Sequence, residues 1–258
     1  MTVKAISQYL QKSLVALRLH LHVFPTARRL LIALCIVDVA FIAVHVVRTY
    51  ALKYGVAPLD ALLEPPGLAL DAEGGYPEHW QYAKAIGASI LLFVTALRAR
   101  HAAAYAAWAA LFAFAALDDS LGLHEQTGYF LSPFFPQRLG PLQGHDFGQI
   151  LFAGAAGITL ISIIFLASMR SAPSHAARGG ILVFPIAGLA VCGVAFDLLS
   201  VIVGYSFTAS HLLLTVLEEG GEQIFMSLGC ALAFAIFIRP ECELPKMPAV
   251  SGDRSAIL

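Results

Sequence analysis

Two short acidic stretches interrupt an otherwise apolar chain, and their residue types are those that hold cations or carry protons. The first is Leu117-Asp118-Asp119-Ser120-Leu121-Gly122-Leu123-His124-Glu125; the second is Leu217-Glu218-Glu219-Gly220-Gly221-Glu222. Ionisable groups inside apolar segments are costly unless paired, protonated, hydrated or metal-bound, so a functional reading is the starting point. Carboxylates with a little imidazole suit iron, manganese or zinc, and a His ligand makes magnesium or calcium less favoured. The candidate metal ligands are therefore Glu218, Glu219, Glu222, Asp119, His124 and Glu125. Glu218, Glu222, Asp119 and Ser120 are the candidate catalytic groups, and a divalent transition metal is the suspected cofactor.

Other polar residues point to the same region. Asp118, Asp197, His145, Asp146, His211 and Lys84 are secondary candidates, with Lys84 as a counter-charge; Asp38 and His45 lie in the first apolar segment. Each has a plainer role available. Asp146 suits a helix N-terminal cap, Asp197 a hydrogen bond across a bundle, and Glu219 a pairing with Lys84.

The elements that must position these groups are transmembrane helices. The 258 residues are 59% hydrophobic and only 13% charged, where a water-soluble domain carries about 25% charged residues. A span needs roughly 20 mainly apolar residues, and six segments qualify: 29–47, 81–98, 102–122, 148–168, 181–203 and 211–238. The expected fold is all-α, a polytopic integral membrane bundle at 29–238. An amphipathic segment (1–28) precedes it and a flexible tail (239–258) follows. Residues 5–22 suit either a short interfacial helix or a poorly ordered amphipathic tail.

Charge sets the orientation. Lys4, Lys12, Arg18, Arg28, Arg29, Arg98, Arg100, Arg170, Arg178, Arg239, Lys246 and Arg254 all fall on one side of a six-span topology. The positive-inside rule makes that side, with both termini, cytoplasmic. The expected location is a bacterial-type inner membrane, N-in and C-in. The acids then gather in the outer half: on a regular helix Glu218 lies about 10 Å and Glu222 about 16 Å beyond His211. If the third helix continues past Gly122, Asp118 and Glu125 share a face. Near-neutral charge without a basic cluster gives no reason to propose nucleic acid as a partner. Cys35, Cys192, Cys230 and Cys242 lack metal-ligand spacing, and the first three, which lie in spans, read as packing residues.

Two loops stand out. The loop 48–80 carries Pro65-Pro66, which interrupts any helix at 58–66. The loop 128–147 alternates Tyr129, Phe130, Phe134 and Phe135 with prolines, suiting either a roof over a cavity or an interfacial aromatic belt.

By its chemistry the grouping resembles intramembrane di-iron carboxylate enzymes, which implies a metal-holding helical bundle, although no Glu-x-x-His pair is present. Ser120 and His124 are similar to the Ser-x-x-x-His element of ceramidase-like membrane hydrolases, but the later histidine pair is missing. A retinal protein is disfavoured, since no lysine lies between Lys84 and Lys246. The leading expectation is a metal-dependent membrane enzyme, hydrolytic or oxidative, acting on a hydrophobic or lipid-like substrate. The alternatives are a proton- or cation-coupled transporter and a non-catalytic sensor or accessory subunit. Membrane lipids are expected partners, and Ala102, Ala103, Ala104, Ala106 and Ala107 offer a small-residue surface for an oligomeric or helical partner.

Overall fold

The computed structural model describes residues 24–238, except 57, 59–62, 64 and 204–207. The interfacial helix or amphipathic tail expected at 5–22, the tail beyond 238 and most of 58–66 lie outside the described residues. Among the described residues five helices are long and apolar enough to cross a membrane, or six where a pair bent at Gly122 is counted as one span. The chain is thus a multi-pass membrane protein of α-helical architecture.

Helix α1 (Pro25–Tyr54) begins with a proline, whose fixed φ suits the first turn, and stops at Gly55 in the left-handed region. Helix α2 (Tyr76–Arg98) returns, and α3 (Ala103–Leu121) runs alongside it. Span five, Pro173–Ile202, contains α6 (Pro173–Gly179), α7 (Val183–Ala190) and α8 (Asp197–Val203), whose last residue lies just past the span. Span six, His211–Ile238, begins within α9 (Thr208–Thr215) and ends with α10 (Gly221–Ile238). The observed spans start earlier than hydropathy alone suggests at spans one, two, four and five, because polar first turns belong to the helices. Span four is α5 (Gly144–Met169).

Span six is the most buried and occupies the centre. Its Met226, Leu232 and Ile236 pack with Ala85, Ala88 and Leu92 of α2, and with Tyr105, Trp108 and Phe112 of α3. Alanines let the α2 and α10 backbones approach, while the aromatics of α3 fill the remaining space. At the end opposite the acidic stretches, Ala172 N–H donates to His101 O, and Ala104 N–H donates to Ser171 Oγ. These bonds tie together the connectors on either side of spans three and four.

The condition for a shared face of Asp118 and Glu125 is not met at the end of span three. The helix does not continue: Gly122 adopts φ +57, and α4 (Leu123–Leu131) leaves at a bend of 64°. A positive φ comes without steric cost only at glycine. Asp118 and Glu125 therefore do not share a helical face. After α4 and a 3₁₀ turn, a two-stranded antiparallel hairpin, β1 (Arg138–Leu139) and β2 (Leu142–Gln143), leads into α5. The loop 128–147 packs on the start of α5, with Tyr129, Phe130 and Phe134 exposed.

The joint between α4 and α5 is a backbone contact. A Cβ at Gly148 would lie 2.7 Å from Gly128 O. Gly148→Ala is expected to destabilise the detergent-solubilised protein by about 1–3 kcal/mol, the usual cost of overpacking. Gly154→Ala, where the added methyl meets open space, should hold or slightly raise the unfolding temperature. Thermal unfolding of the two variants side by side checks this.

Candidate functional site

The acid-bearing end of the bundle contains two polar assemblies in series. The deeper one centres on Lys84, 2% exposed, and Asp38, 0% exposed. Lys84 Nζ donates to Asp38 Oδ1 at 2.8 Å, Gln223 O at 2.7 Å, Gln223 Oε1 at 2.8 Å and Ser227 Oγ at 3.1 Å. Trp80 Nε1 donates to Asp38 Oδ1 at 2.9 Å, and the Ser227 hydroxyl donates to Asp38 Oδ2. Gln223 Nε2 in turn donates to Pro77 O at 2.7 Å. A buried ion pair tolerates loss of water only when its remaining lone pairs and protons find partners, and here they do. The network joins α1, α2 and α10.

From sequence, Lys84 is expected as a counter-charge to the acid cluster, with Glu219 as its plainer partner. The structure corrects this: its ion-pair partner is Asp38. Trp80, Gln81, Gln223 and Ser227 were not anticipated. A signal existed, because Gln81 and Lys84 are one helical turn apart, as are Gln223 and Ser227.

The shallower assembly is the carboxylate cluster. Gln81 Nε2 donates to Glu222 Oε2 at 2.9 Å and lies 3.4 Å from Asp119 Oδ2, so one amide bridges spans three and six. Glu222 lies within electrostatic range of Asp119, Glu218 and His124. Glu219 lies within range of Glu222, Glu218, Asp119 and Asp71. The structure thus brings Asp119, Glu218, Glu219 and Glu222 together, with Gln81 added. Among the described residues, no Lys or Arg forms an ion pair with these four acids.

The single stripe expected along span six is altered by a π-helical turn at Val216–Gly220. A second π turn, Val191–Phe196, packs against it. Each π turn accommodates an extra residue and rotates the remainder of its helix, and such turns are frequent at functional sites. As a result Glu218 turns toward Ser200 of span five, while Glu222 is seated against Gly193, where any side chain would collide with its carboxylate. Gly220-Gly221 does not break the helix: a Cβ at Gly220 would lie 2.9 Å from Ile42 Cδ1. The pair serves close packing.

Other candidates have local partners. The backbone N–H of His124 donates to Asp118 Oδ1 at 3.0 Å, and the His124 ring lies 3.4 Å from the same carboxylate. Glu125 folds back toward Gly122. Asp146 accepts from Gln143 N–H at 2.6 Å in a capping box, and His145 stacks on Tyr129 at 5.0 Å. Asp146 is not the N-cap expected from the sequence: Gln143 holds that position, and Asp146 at N3 closes the capping box. Ser120 is exposed and its hydroxyl faces Leu117 O at 3.4 Å. Asp197 is exposed on span five. His211 bonds to Thr215 and lies within electrostatic range of His45. His45 Nδ1 accepts from Leu70 N–H at 3.0 Å, pinning the loop after Pro66 above the cluster, where Leu70 is 2% exposed.

Among the described residues, no three His, Cys, Asp or Glu side chains are arranged so as to hold a metal ion. What the fold and site define is a polytopic α-helical membrane protein with a one-ended, carboxylate-rich interior. Residues 30–239 match a family described as a domain of unknown function (DUF8692), and the chain belongs to that family. No curated protein and no solved structure matches the chain.

The ion pair yields a clear expectation. Lys84→Met or Asp38→Asn alone should each cost about 3–5 kcal/mol, since each strands a buried charge. The double variant should be markedly more stable than the sum of the two losses predicts. Chemical unfolding in detergent, arranged as a double-mutant cycle, measures the coupling.

Proposed function

We propose that this chain is a membrane-embedded enzyme whose carboxylate cluster takes up a divalent transition metal and acts on a hydrophobic, lipid-like substrate. One observation carries the reading: Asp119, Glu218, Glu219 and Glu222 converge inside the bundle while the nearby buried lysine is committed to Asp38. Carboxylates crowded together at that depth need protons or an external cation.

Asp119, Glu219 and Glu222 are the residues that would hold the ion, as iron, manganese or zinc. Gathering them round it requires the Gln81 amide to leave its place between Asp119 and Glu222, a rotamer change. A bound ion would supply Lewis acidity or redox chemistry. The chain would supply the rest: Glu218, near Ser200, would exchange a proton, and the buried Leu70 would limit access of water from above.

A through-route for protons or cations has less support. The hydrogen-bonded network around Lys84 ends at Ser227, and beyond it the helices close on Leu92, Phe112, Leu232 and Ile236, all buried, which separate it from the buried Thr95, His175 and Arg178 at the far end. A carboxylate cluster confined to one end fits an enzyme better than a carrier. By the positive-inside rule that end faces outward across an inner membrane, with both termini cytoplasmic.

Elemental mass spectrometry of gently purified protein tests the reading. Near-stoichiometric iron, manganese or zinc is expected, and should be lost in the Glu218→Gln/Glu222→Gln variant. A folded protein that stays empty after anaerobic reconstitution with all three metals would contradict it.

A further inference from the structure

A groove runs along the face between α2 and α3, with a volume of about 310 Å³. It is lined by Tyr82, Ile86, Ser89, Ile90, Ala113, Ala116, Leu117 and Ser120. Ligand sites typically occupy about 300–1,000 Å³. Its walls are Ile86, Ile90 and Leu117, all substantially exposed, and its floor is the small side chain of Ala116. Ser89 donates its hydroxyl to Ala109 O at 2.9 Å, which leaves the middle of the groove apolar. Polar groups appear at one end alone. There Tyr82 donates to Glu78, and Gln81 and Asp119 are the immediate chain neighbours of Tyr82 and Ser120.

We propose that this groove holds one hydrocarbon chain of a membrane lipid, with the polar end of that lipid beside Asp119. The medium around two membrane spans is hydrocarbon, so the occupant reaches the groove laterally. From Tyr82 to Ile90 the groove follows about 12 Å of helix, and its apolar run ends where the carboxylate cluster begins. That continuity selects a chain with a polar head over a featureless apolar partner. The inference rests on the metal-enzyme reading only in making this lipid the substrate; chain binding stands by itself.

The test uses the full chain in nanodiscs containing phospholipid with a diazirine in its acyl chain. After irradiation, adducts are mapped by peptide mass spectrometry. Adducts are expected to concentrate on Ile86, Ile90 and Leu117 relative to Ile158 and Phe165, which are exposed on α5. Ala113→Leu fills the groove and should reduce that enrichment roughly tenfold. Leu117→Ala, which removes an exposed wall, should weaken it as well and guards against a fold defect in the first variant. Even labelling of α2, α3 and α5 would overturn the proposal. Metal content is measured on the same samples: groove labelling of a metal-free protein would sink the cation reading alone, and metal without groove labelling would sink the groove alone.

Discussion

The buried pair of Lys84 and Asp38 holds the polar interior in place. It brings three spans to one point, because Asp38 belongs to α1, Lys84 to α2 and their shared partners Gln223 and Ser227 to α10. Each charge is fully surrounded by donors or acceptors, so the pair has one satisfied arrangement and few alternatives. It also fixes the charge balance one turn higher. With Lys84 held by Asp38, the carboxylates of spans three and six face each other across a neutral amide.

Helix irregularity then does the fine positioning. The two π turns lie side by side, one in span five and one in span six. They divide three glutamates that a regular helix would stack on and beside one stripe: Glu218 goes toward Ser200, Glu222 toward Gln81. The bend at Gly122 similarly keeps Asp119 in the bundle and carries His124 and Glu125 toward the surface end. The apolar packing of Leu92, Phe112, Leu232 and Ile236 separates this polar end from the buried Thr95, His175 and Arg178 at the other.

Much of this is legible in the residues. Span number and the gathering of acids at one end come from hydropathy and charge, which are additive along the chain. The pairing within the core is not legible, because it depends on which helix faces which. Lys84 has nearby acids at several sequence positions, and no spacing rule distinguishes Asp38 from Glu219 as its partner. Gln81 and Gln223 are hard to single out because uncharged amides in a span carry a weak sequence signal, yet they bridge the charged groups. Extrapolating 3.6 residues per turn through Gly122 and through Val216–Gly220 fails for the same reason in both places: one altered turn rotates every later side chain.

Whether the carboxylate cluster takes its neutralising charge from outside the chain is decided by anomalous X-ray diffraction from crystals soaked in manganese. A peak is expected among Asp119, Glu219 and Glu222, with the Gln81 amide displaced and Lys84 still bonded to Asp38. An empty cluster at saturating manganese, with Lys84 swung onto Glu222 or Glu219, would show instead that the chain neutralises its own acids.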